Sequence, residues 1–289
     1  MALKNGRIFG TIFAVALAAA LGCGEGGGGG GATAVLPSVE EQTAAQGADA
    51  AGQAAERTAE IASDAVVESG APGSTSQKTG EPVSSGPSAT FNFQATVDVT
   101  VDLDARNSAG QDKYPNASGR FTVSATGNIT GTNVSGEANY SCQVEWVTDG
   151  TFTDPVCGAR VTVAMGSQRS HTLRVQWSWT DDLNWSIQAT SDLNGSAQGT
   201  VTHGGKTWTV SGTVDRHVTA SFSRAAGTWS LAFSLTGERT LIITSGSVTH
   251  TVVLRFLDFD RIMITVDGVT FGPFSWIQVR IIFGFDCRG

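Results

Sequence analysis

The stretch FNFQATVDVTVDL, residues 91–103, decides the fold. Phe91, Phe93, Ala95, Val97, Val99, Val101 and Leu103 alternate with Asn92, Gln94, Thr96, Asp98, Thr100 and Asp102. A period of two belongs to a β-strand with one face in a core and the other in water. The same period continues almost without interruption towards the C-terminus, and neighbouring segments pair with matching faces. With Gly204-Gly205 as a two-residue turn, Trp208 faces Val201, Val210 faces Gly199, Gly212 faces Ala197 and Ala220 faces Ala189. A hairpin turn fixes register, so such a match tests the reading. Ala225-Ala226, Ser245-Gly246, Thr132-Asn133 and Asp149-Gly150 serve as further turns that keep the apolar set on one face.

The pattern predicts an all-β domain, an antiparallel up-and-down meander of about ten long strands. They lie near 91–103, 119–131, 134–147, 152–165, 171–180, 184–202, 207–223, 228–244, 247–266 and 269–285. A barrel would remove the exposed edges of so large a sheet. A two-layer β-sandwich with bent strands is the alternative. A barrel that spans a membrane fits less well, because the strands are long and Arg216 and Arg239 fall on the apolar face.

Residues 24–89 contain no Phe, Trp or Tyr and are rich in Gly, Ala, Ser, Thr, Pro and Glu. That composition predicts a structureless tether over 23–89, with one folded domain at 90–289. The Ala- and Glu-rich stretch 40–67 has transient helical character, weakened by Gly47 and Gly52. The net charge of the 289-residue chain is −8, only 15% of residues are charged, and no basic stripe is present. Nucleic acid is excluded as an expected partner on that ground.

Ahead of the tether, Lys4 and Arg7 precede an apolar run, Ile8 to Leu21, which is short for a membrane span and matches an export signal. The run ends in Leu21-Gly22-Cys23. This resembles the lipobox of bacterial lipoproteins. The resemblance implies a signal peptide at 1–22, diacylglycerol and acyl chains on Cys23, and a membrane partner reached through that anchor. With Gly24 after the cysteine, it also implies the outer membrane.

Cys142 and Cys157 fall opposite each other about the Asp149-Gly150 turn, which predicts a disulfide in an oxidising compartment. Cys287 is left over. No C-x₂-C spacing suggests zinc.

Six of seven tryptophans lie on the apolar face. Trp146, Trp177, Trp179, Trp185 and Trp229 are expected at the end of the barrel that carries the 104–118 loop, opposite the end where the chain enters at Phe91. Gly127, Gly131, Gly136, Ala197, Gly199 and Gly212 would mark the narrow end. The tryptophans either fill the wide end or rim a cavity. Arg216, Arg239, His250, Asp258 and Asp260 share the interior parity and need partners if buried. Arg216 is within reach of Asp258 two strands away, and Arg239 is diagonal to His250. Asp104, Asn107 and Asp112 in the long loop form a weak Ca²⁺ candidate, with spacing unlike an EF-hand.

No catalytic motif is present. Asp215 and His217 share the polar face with many hydroxyls, a coincidence expected on such a sheet. No cofactor is expected. Three functions follow: a lipid-anchored, non-catalytic structural or binding module; a carrier of a lipid or other apolar ligand in the barrel interior; and, least supported, a hydrolase.

Overall fold

The computed structural model describes residues 36–69, 90–132, 134–154, 158–181, 183–258 and 260–283. One antiparallel sheet contains β1 (Thr90–Asp102), β2 (Ala117–Ser118), β3 (Arg120–Thr132), β4 (Ser135–Trp146), β5 (Gly150–Thr153), β6 (Arg160–Val163) and β7 (Gln168–Asp181). It continues through β8 (Asn184–His203), β9 (Lys206–Ala225), β10 (Thr228–Ser245), β11 (Val248–Phe256), β12 (Arg261–Val266) and β13 (Val269–Ser275). Among the described residues two helices accompany it, α1 (Val39–Ser69) and α2 (Trp276–Phe283). The expected all-β meander is the fold. The sheet does not close, since β1 and β13 stand at opposite ends of the strand order and do not pair.

The sheet departs from the expected layout at its first half. Asp149-Gly150 is not a turn. β4 and β5 lie along one bent strand, as do β6 and β7, and the two bent strands pair with each other around residues 154–159. Cys142 therefore stands opposite His171 on one side and Ala125 on the other. It is a buried free thiol, which corrects the Cys142–Cys157 disulfide. Cys157 itself, like Cys23 and Cys287, lies outside the described residues.

Turn chemistry shifts three other registers by two residues without changing the face. Thr228 pairs with Ala225 and Ser245 with Val248, while Gly131 pairs with Gly136. Ala226 and Gly227 both adopt positive φ, 48° and 81°, which is what the two central positions of a type I′ turn need. The Gly204-Gly205 turn stands where expected, with His203 opposite Lys206.

Residues 39–69, expected within a structureless tether, form a 31-residue helix. Ser38 and Glu41 start it with a reciprocal capping box: Glu41 N–H donates to Ser38 Oγ at 3.3 Å, and Ser38 N–H to Glu41 Oε2 at 2.6 Å. Ala44, Ala48, Ala51, Ala55, Thr58, Ala62 and Ala65 repeat in steps of four and three, and all are buried. Small residues at that spacing let a helix lie close against a sheet. α1 touches β1, β3, β6 and β8 through β12, together with α2. Contact with strands from both halves of the sheet order means that the sheet curls about the helix. No described helix is long and apolar enough to cross a membrane.

Candidate functional site

The inward face can be read in rows from the register. One row is Val144, Arg169, Gly195, Val214 and Arg239; the next is Cys142, His171, Leu193, Arg216 and Gly237. Above them come Tyr140, Leu173, Ser191, Val218 and Leu235, then Ala138, Val175, Ala189, Ala220 and Phe233. The upper rows hold Trp177, Ile187, Phe222 and Leu231, and then Trp179, Trp185 and Trp229. α1 covers the rows below Arg239, where Gly47 lies against Trp208 and Ile243.

Exposure along β10 shows where that cover stops. Leu241 and Ile243 are 0% exposed, whereas Leu231 is 74% and Trp229 56% exposed on the same face of the same strand. Towards this end the inward face becomes an apolar trough of large side chains, with Trp177, Trp185 and Phe222 half-buried and Trp179, Trp229 and Leu231 exposed. The Trp179 and Trp185 rings stack at 5.5 Å, and Trp185 meets Trp229 and Phe222 edge-on at 5.3 and 5.1 Å. Phe222 and Trp229 stack at 5.2 Å. Trp177 donates Nε1–H to the Thr132 carbonyl at 3.2 Å, with its ring in the space left by the missing side chain of Gly136. At the rim, the Arg224 guanidinium lies over the Trp229 ring at 5.1 Å.

The misplaced hairpin reverses the expected ends. Trp177, Trp179, Trp185 and Trp229 lie at the end where β1 begins, opposite the 104–118 loop. Trp146 alone lies near that loop. It is 2% exposed and packs on Phe121 and Phe152 at 5.0 and 5.8 Å, so it belongs to the core and not to the trough. The small residues are divided too: Ala197, Gly199 and Gly212 lie in the rows under α1, while Gly131 and Gly136 lie beside the trough.

Below the trough is a charged layer. Arg239, 1% exposed, donates from Nη1 to Asp49 Oδ1 at 3.2 Å and from Nη2 to Glu56 Oε1. It also lies over the Phe256 ring at 5.0 Å. A Cβ on Gly52 would overlap its guanidinium. Arg216 Nη1 stands 3.6 Å from Glu56 Oε1. Both arginines thus meet carboxylates of α1 and not the expected Asp258 and His250. Asp258 pairs with Arg261, and His250 Nδ1 lies 2.7 Å from Asp267 Oδ2. His171 Nε2 bonds Ser191 Oγ at 2.9 Å, and burial pulls the imidazole down to about 4, so it is neutral at pH 7. Arg169, 7% exposed, is held down to about 10 by burial. The sequence reading missed Arg169 and His171, although Leu173, Val175 and Trp177 share their parity.

The loop acids do not form a metal site. Asp104 accepts from Gly119 N–H at 3.2 Å, Asn107 accepts from Ala109 and Gln111 N–H, and Asp112 faces Arg106 at 3.7 Å. No group of three or more His, Cys, Asp or Glu converges among the described residues. On the outer face, His217 pairs with Asp192 across β8 and β9. The buried Ser191–His171 pair lacks a carboxylate on His171 Nδ1. No family model, no curated protein and no solved structure matches the chain.

Proposed function

We propose that the domain is a non-catalytic binder of an apolar, acyl-type ligand, which it holds in the trough lined by Trp177, Trp179, Trp185, Phe222, Trp229 and Leu231. The supporting observation is the exposure of Trp179, Trp229 and Leu231 on the inward face, next to equivalent positions that α1 buries completely. A long aliphatic chain laid along the trough would remove that surface from water. Each methylene so buried contributes about 0.8 kcal/mol. The lipobox-like Leu21-Gly22-Cys23 supports a setting at the bacterial outer membrane, with the domain held by acyl chains on Cys23. There the ligand would be drawn from, or delivered to, the envelope. The buried Ser191–His171 pair and the exposed Asp192–His217 pair lack the third partner that hydrolysis needs, which is why a binding role is preferred.

Titration of the purified chain with a fluorescent fatty acid tests this reading. Saturable binding at about one equivalent is expected. The Trp179→Ser/Trp229→Ser variant should weaken it about tenfold or more, as loss of at least about 1.4 kcal/mol of apolar contact implies. Absence of saturable binding, or equal affinity in that variant, would contradict the proposal.

A further inference from the structure

We propose that the ligand is a single-chain carboxylic acid whose anionic head is received below the trough by Arg169, Arg216 and His171; this rests on the trough reading. Among the described residues Arg169 forms no ion pair, Glu56 acting on it only through its field, and its Nη1 is buried without a partner. An unpaired guanidinium in a protein interior is costly. Arg216 Nε and His171 Nδ1 are likewise buried without partners. His171 is neutral and its Nε2 is taken by Ser191. With Nε2 accepting from the hydroxyl, Nδ1–H is a free donor.

The charge count points the same way. The layer holds three guanidiniums, from Arg169, Arg216 and Arg239, against two carboxylates, Asp49 and Glu56. Both carboxylates are engaged by Arg239, and Glu56 is shared with Arg216. One positive charge is left, which one carboxylate would balance. The side chains of Arg216 and Glu56 keep 15% and 30% exposure, so part of this layer touches solvent. His171 and Trp177 are six residues apart on β7, a span of about 20 Å, which suits a long-chain acid and not a short one. The cavity beside Arg169, lined also by Ala51, Val163 and Ala197, measures about 20 Å³. A single water fits there, so a carboxylate head reaches Arg169 only when the buried residues between it and the tryptophans, Leu173, Ser191 and Val218 among them, give way.

The test compares palmitate, hexadecanol and acetate on the full chain by calorimetric titration. Palmitate should bind about tenfold or more tightly than hexadecanol, and acetate should not bind measurably. In Arg169→Met that preference should vanish while hexadecanol affinity stays unchanged. The unliganded Arg169→Met protein should melt higher, by about 2–4 °C, because a buried unpaired cation is gone. Arg216→Gln should also reduce the preference, which gives a second readout if Arg169→Met does not fold. Equal binding of palmitate and hexadecanol to the native chain would overturn the head-group assignment and leave the trough standing, with only water beside Arg169. Acetate binding as tightly as palmitate would mean an anion site unconnected to the trough. Loss of the preference in Arg224→Gln but not in Arg169→Met would place the head at the rim. If neither long-chain ligand binds, the trough reading itself fails.

Discussion

Gly52 and Gly47 are one turn and a half apart on α1, yet their substitution should act in opposite directions. At Gly47 a Cβ would meet Ile243 Cδ1 at 3.5 Å and Trp208 Cδ2 at 3.7 Å, ordinary contact distances. Gly47→Ala should therefore gain up to about 1 kcal/mol through helix propensity. At Gly52 the new methyl would overlap the guanidinium of Arg239, which Asp49 and Glu56 hold in place. Gly52→Ala should lose about 1–3 kcal/mol in spite of its better propensity. Urea midpoints of the two variants read the contrast directly. His171 supplies a second prediction at this scale. Its imidazole is neutral in the fold down to about pH 4 but takes a proton near pH 6.5 when unfolded. The unfolded chain binds more protons in that window, so stability is complete above pH 6.5 and falls towards pH 4, by up to about 3 kcal/mol. His171→Gln should flatten that fall, as denaturation midpoints at pH 7 and pH 4.5 would show. A loss between those pH values as steep as in the native chain would assign the effect to other groups.

At the level of elements, what the sequence reveals depends on how far the evidence for each element lies from it. Alternation within a strand is local, so the inward face of β1 and of β8 through β10 is legible, and with it Trp177, Trp179, Trp185 and Trp229. Turn positions are legible only where glycine chemistry is unambiguous, as at Gly204-Gly205. At Ala226-Gly227 the requirement for positive φ at both central residues was the signal. Reading Ala225-Ala226 there shifts the pairing by two and spares the face. Asp149-Gly150 has turn composition, yet the chain runs on from β4 into β5, which puts His171 and not Cys157 opposite Cys142 and reverses the ends. Helix α1 was hidden by a compositional argument: no aromatic residue, therefore no core. The argument fails because the sheet supplies the large residues and the helix needs only small ones. The capping box at Ser38 and the spacing of buried alanines from Ala44 to Ala65 were visible. The parity of Arg216 and Arg239 shows that they need partners, but Asp49 and Glu56 lie in a stretch whose composition reads as a tether. Ala55 separates the two descriptions, since it is 0% exposed. Ala55→Leu in a tether would be neutral; packed under the sheet it should cost about 1–3 kcal/mol, read as a lowered urea midpoint.

The whole molecule is a curled sheet divided along its strands. One half is closed by a helix of small residues and is sealed by a charged layer. The other half keeps the same inward parity and ends in larger side chains, of which Trp179, Trp229 and Leu231 are exposed. Polar residues such as Gln176, Ser178, Ser186 and Ser223 keep the outer face wet along the same strands. Large apolar groups on the inner face and hydroxyls on the outer one are the division that a binding trough requires. Native mass spectrometry of the chain, purified without membranes and then incubated with palmitate, tests this division most directly. A complex with one bound acid in the native protein, and a bare chain for Trp179→Ser/Trp229→Ser, is the predicted result. A native protein that remains bare at saturating palmitate would contradict it.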